Sequence, residues 1–115
     1  MAALGLDLGW ETTWGGTALH HAAWHGKVEI VRCLIELGAP IAARDSRFGT
    51  SPLSWAAHGS HHHRRPESDY VATAAALLDA AMVVGASLDR VPEEMAIPAV
   101  AEVIRKRADS GLFAG

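Results

Sequence analysis

Two stretches of this chain repeat each other, and the repeat restricts the fold more than any other feature. Residues 17–39 read TALHHAAWHGKVEIVRCLIELGA, and a second copy opens at Ser51 as SPLSWAAHGS and resumes at Asp69 as DYVATAAALLDAA. Self-similarity at a period of roughly 20–50 residues signals supersecondary units stacked side by side, each burying its apolar face only against its neighbours. Such stacks commonly present binding surfaces rather than catalytic centres.

The register can be counted. Leu4 and Leu37 lie 33 residues apart, and Thr17-Ala18-Leu19 and Ser51-Pro52-Leu53 lie 34 apart. Val28 and Val71 lie 43 apart, as do Leu34 and Leu77, so about nine extra residues enter the second copy, within 59–68. Gly38-Ala39 and Gly85-Ala86 lie 47 apart, so about four more lengthen the end of its later helix, around 81–84.

Local signals place the elements. Thr17 and Ser51 have hydroxyls suited to N-capping, and Pro52 occupies a first helical position where its missing amide costs nothing. Short helices follow over 18–25 and 52–58, and the small pairs Ala22-Ala23 and Ala56-Ala57 permit close approach. Gly26 can end the first helix in a left-handed conformation. Residues 28–37 form an amphipathic helix closed by Gly38, with Val28, Val31, Leu34 and Ile35 on one face. Glu29, Arg32 and Glu36 lie on another, at pairing distance. Residues 70–84 form its longer counterpart, with Val71, Ala74, Leu77 and Leu78 inward. Residues 40–49 form a projecting turn or hairpin with Arg44, Asp45, Ser46 and Arg47 at its tip and Phe48 tucked down. After Ser87 the pattern fades; Pro98 then opens a capping helix to about residue 108, whose Arg105, Lys106 and Arg107 suit the negative end of the helix dipole.

A unit of about 33 residues carrying Thr-Pro-Leu-His-x-Ala near its start resembles the ankyrin repeat. TALHHAA departs from that motif only by Ala18 for Pro; SPLSWAA has Ser51 for Thr and Ser54 for His. The resemblance covers about residues 4–89 and implies an all-α solenoid of helix-turn-helix units with short projecting β-turns or hairpins. The whole chain, 1–115, is then one domain. It comprises a partial leading unit (1–16, with Trp10 and Trp14), a first full repeat (17–50), a second repeat (51–89) with an inserted loop at 59–68, and a capping segment (90–115).

The resemblance also implies a function: non-catalytic recognition of a partner protein, as yet unidentified, through a concave groove and the hairpin tips. The groove positions are His21, Trp24, His25, Trp55 and His58, and the tip positions are Arg44, Asp45 and Arg47. Trp24 and Trp55 are strong anchors, because tryptophan is enriched among residues that dominate binding energy. His20 occupies the histidine of the motif and is expected to hold turns and neighbouring backbone together. The His-Arg run of the inserted loop, His61, His62, His63, Arg64 and Arg65, offers a further partner contact. Two alternatives stand beside this: a homo-oligomer formed through an incomplete N-terminal stacking face, and a histidine-based metal protein. Against the latter, consecutive loop histidines do not preset a tetrahedral site, and Arg64 and Arg65 repel a cation.

The remaining signals exclude more than they assign. A net charge of -3 over 115 residues argues against an electrostatic nucleic-acid binder. The single cysteine, Cys33, excludes an intramolecular disulfide, sits too far into its helix for thiolate activation, and is expected to be at least half-buried. With no phosphate loop, nucleophile elbow or paired carboxylates, neither a cofactor nor catalysis is expected. No membrane-length apolar run and no secretion signal are present, so the expected setting is cytoplasmic.

Overall fold

The first helix is fixed by a reciprocal cap. The Thr17 side chain accepts from the His20 amide while the His20 ring accepts from the Thr17 amide at 3.1 Å, satisfying two of the donors that a helix start leaves open. The structure, a computed structural model, describes residues 15–62, 69–85, 88 and 96–107. Within them lie five helices: α1 (Ala18–Trp24), α2 (Val28–Glu36), α3 (Pro52–His62), α4 (Tyr70–Val84) and α5 (Pro98–Arg107). No strand occurs among the described residues, and no helix there is long and apolar enough to cross a membrane. Trp10, Trp14, His63, Arg64 and Arg65 lie outside the described residues.

The helices form two layers. α1 packs beside α3 and α2 beside α4, while α1 lies against α2 and α3 against α4; α5 then continues the stack on α4 and α3. The core between the layers is built from Leu19, Ala23, Val31, Leu53, Ala56, Ala57, Ala74, Leu77 and Leu78, each almost wholly removed from water. Ala22-Ala23 and Ala56-Ala57 are all buried, as expected where small side chains let helices approach.

Glycines end the helices at the expected places: Gly26 (φ 64°) follows α1, Gly38 (φ 89°) follows α2, and Gly85 (φ 71°) is the left-handed C-cap of α4. Gly59 behaves differently. It is read from sequence as the start of an inserted loop, yet α3 continues through it to His62. A β-carbon at Gly59 would collide with the Trp24 carbonyl and lie 3.0 Å from the Tyr70 ring. Its missing side chain permits close contact between α3 and the end of α1 rather than a chain reversal. The Tyr70 hydroxyl donates to that same Trp24 carbonyl at 2.7 Å, and the Asp69 amide donates to the Gly26 carbonyl at 2.9 Å. The start of α4 is thereby clamped onto the α1–α2 turn, and a helix-end carbonyl gains a partner.

Two further expectations are corrected. Cys33 is exposed, because it lies about 200° around the helix from the buried Val31. Val71 is 39% exposed while Tyr70 is buried; the inward face of α4 follows Tyr70, Thr73, Ala74, Leu77, Leu78 and Ala81, a stripe that leaves Val71 just outside it.

Candidate interaction face

The turn between α2 and α3 is organised by one carboxylate. Asp45 Oδ2 accepts from the amides of Arg47 (3.1 Å) and Phe48 (2.6 Å). Asp45 Oδ1 accepts from the Thr50 amide (2.8 Å), the Thr50 hydroxyl (2.7 Å) and Trp55 Nε1 (3.2 Å). The Asp45 amide donates to the Thr50 carbonyl and the Gly49 amide to the Asp45 carbonyl, both at 2.9 Å, with Gly49 at φ 68°. Burial pushes the Asp45 carboxyl up, but the donors from Thr50, Phe48 and Trp55 outweigh it and hold the group at about 2. Asp45 is thus buried, 2% exposed, and its oxygens are engaged within the turn. That corrects its placement at the tip. Phe48, by contrast, is not tucked down: it is 70% exposed, beside the exposed Arg44 and Arg47.

His20 ties this turn to α1. Because its Nδ1 accepts the Thr17 amide, the ring proton belongs on Nε2, which donates to the Thr50 carbonyl at 2.8 Å. The ring is wholly buried and meets Trp55 edge-on at 5.1 Å. Trp55 also meets His21 edge-on at 5.2 Å. Gly16 makes room for this cluster: a β-carbon there would lie 2.7 Å from the Trp55 indole and 2.9 Å from the His20 side chain. The Ser46 amide donates to the Gly15 carbonyl at 3.0 Å, joining the chain before α1 to the turn before α3.

On this support α1 and α3 present matching, partly exposed faces. On α1, His21 and Trp24 are half-buried and His25, its C-cap, is exposed. On α3, Trp55 and His58 are half-buried and His61 and His62 are exposed. Residues three and four apart share a helix face, so His21 with Trp24 and His25 forms one patch, and Trp55 with His58 and His62 another. Residues 21 and 55 hold equivalent positions at the 34-residue offset, and their ring contact joins the patches. Burial holds the His21 imidazole below its usual range. His58 is lowered first by burial and then by the neighbouring His62. The His58 and His62 rings stack at 6.1 Å, and His61 and His62 lie 5.0 Å apart. Among the described residues, no three His, Cys, Asp or Glu side chains are placed to hold one metal ion.

The sequence gives Gly16 and Tyr70 no packing role and reads Gly59 as the start of a loop. Neither glycine signals this from sequence: Gly59 reads as a helix stop, and Gly16 lies before the cap of α1. For Asp45 the sequence signals only a local turn bond, since an aspartate can accept from the amides that follow it; the bond from Trp55 is not signalled.

Paired helices stacked in two layers, with the first helices presenting one face, define a helical-repeat scaffold. The family model for ankyrin repeats (3 copies) matches residues 2–65. The chain belongs to the ankyrin-repeat family, whose members are in general protein–protein interaction modules and typically non-catalytic.

Proposed function

We propose that the chain binds a partner protein through the partly exposed face of α1 and α3 together with the tip of the α2–α3 turn. The observation carrying this is the division of labour among the aromatic and charged residues. His20, Asp45 and the indole nitrogen of Trp55 hold the scaffold rigid, while Trp24, His25, His58, Arg44, Arg47 and Phe48 project from it or lie half-covered. A preformed surface loses little conformational entropy on binding, and the half-covered Trp24 beside the exposed His25 has the make-up of an anchor at a polar rim. His61 and His62, on the last turn of α3, extend the face at one end. Within this proposal Trp55 contributes chiefly by packing, and Asp45 only by shaping the tip.

The test is affinity measurement by calorimetry against a captured partner. Trp24→Ala and the pair Arg44→Glu with Phe48→Ala should each weaken binding at least tenfold, with helical content unchanged. Full retention of affinity in folded variants overturns the proposal.

A further inference from the structure

Independently of partner binding, the run of α3 to His62 places two imidazoles one helical turn apart. We propose that His58 and His62 form a two-imidazole chelate for a borderline divalent transition-metal ion, Zn²⁺, Cu²⁺ or Ni²⁺, with water completing its coordination.

Residues at i and i+4 project from the same side of a helix. The two rings already face each other, 21° from parallel with centroids 6.1 Å apart. A metal–nitrogen distance of about 2.0–2.1 Å places each ring centroid roughly 3 Å from the ion, so two rings on one ion have centroids roughly 4.5–6 Å apart. The lone pairs lie in the ring planes, so turning the stacked rings about their side-chain torsions brings one nitrogen of each onto a common ion, with no movement of the backbone. Among the described residues no hydrogen bond engages the ring nitrogens of His58 or His62, so their lone pairs are not committed elsewhere. Coordination requires the neutral imidazole.

The helix supplies what a flexible histidine run lacks. In a loop, consecutive histidines pay the entropy of ordering when metal binds; on α3 the spacing is set by the backbone before the ion arrives. The His61 ring lies 5.0 Å from that of His62 but tilted 57° to it; the two residues leave the helix about 100° apart, so His58, on the same side as His62, is the chelating partner. Imidazole nitrogen suits zinc, copper and nickel rather than calcium or magnesium, which take oxygen ligands. Two protein ligands leave the ion open to water or to a donor from another molecule, the arrangement of an accessory or bridging site rather than a closed structural one.

The test uses the full untagged chain, purified without a metal column and freed of metal by chelation. Zn²⁺ is titrated by calorimetry, with the histidine ring signals followed by NMR, and Cu²⁺ binding is read by electron paramagnetic resonance. The expected result is one ion per chain, shifts in the His58 and His62 rings, and two nitrogen ligands on copper. His58→Ala and His62→Ala should each weaken binding roughly tenfold or more, whereas His61→Ala should leave it within about twofold. Because His62 is exposed, its variant reports on ligation without disturbing the core. Absence of binding, undiminished binding in the His58→Ala/His62→Ala double variant, or an equal loss in His61→Ala would each overturn the proposal.

Discussion

Replacing Asp45 by alanine should cost more stability than any other single change to a polar side chain in the turn. The carboxylate accepts five hydrogen bonds, three from Thr50 and Trp55 and two from the Arg47 and Phe48 amides. Arg47 and Phe48 are exposed, so water can replace the lost acceptor there at little cost. Thr50 and Trp55 are half-buried, and bonds to a charged acceptor contribute about 1.5–3 kcal/mol each. Because the three share one carboxylate and do not add fully, the expected loss is about 3–5 kcal/mol. That is a large part of the roughly 5–15 kcal/mol that holds a domain of this size together. Asp45→Asn keeps an acceptor for Thr50 and Trp55 but turns an amide donor toward the other amides, and should cost about 1–3 kcal/mol. A pH arm checks the charge. Asp45 titrates at about 2 when folded against 3.8 for the free side chain, so the unfolded chain takes up its proton first. The stabilisation is complete above 3.8 and is lost as pH falls through about 2. The shift corresponds to at most about 2.5 kcal/mol, and solvent screening brings the expected contribution to about 1–2 kcal/mol. Urea unfolding followed by circular dichroism measures both effects. A loss below about 0.5 kcal/mol for Asp45→Ala, the range of an unremarkable surface change, would refute the assignment of Asp45 as the anchor of the turn.

Gly59→Ala places a methyl group against the Trp24 carbonyl; despite the better helix propensity of alanine, it should destabilise by about 2–3 kcal/mol, read as a lower urea midpoint. Tyr70→Phe removes the donor to that carbonyl and should cost about 1–2 kcal/mol with helical content preserved. His21 and His58 both titrate below 6.5 when folded, so the unfolded chain is protonated first. Their contribution is full above pH 6.5 and declines as pH falls through the folded values; the double variant His21→Gln/His58→Gln should flatten the fall in urea midpoint below pH 6.5.

The parts of the fold legible in the sequence are those set by local chemistry. Thr17 and Gly26 bracket α1, Gly38 closes α2, and Pro52 starts α3, so these positions follow from capping and backbone rules alone. Gly59 marks where that logic stops. From sequence, a glycine followed by Ser-His-His reads as a helix stop; only the approach of Trp24 and Tyr70, distant in sequence, reveals it as a contact point inside a continuing helix. The same holds for Asp45 and Phe48. Turn composition places Asp45 at the tip and hydrophobicity tucks Phe48 down, but the donors that draw Asp45 inward include Trp55, ten residues on, and Phe48 is left outside at 70% exposed. The face of α1 and α3 was legible in outline, because His21, Trp24, Trp55 and His58 keep the repeat offset. The extension of that face to His61 and His62 was not, because it depends on the length of α3.

The proposed recognition face is tested most directly by photocrosslinking. A photoreactive side chain is introduced singly at His25 and Phe48 on the proposed face, and at Glu29, Arg32 and Glu36 on the exposed side of α2. Adducts with the bound partner protein are then mapped by mass spectrometry. Crosslinks from His25 and Phe48, with none from the three α2 positions, are the predicted result; crosslinks from α2 alone would contradict it.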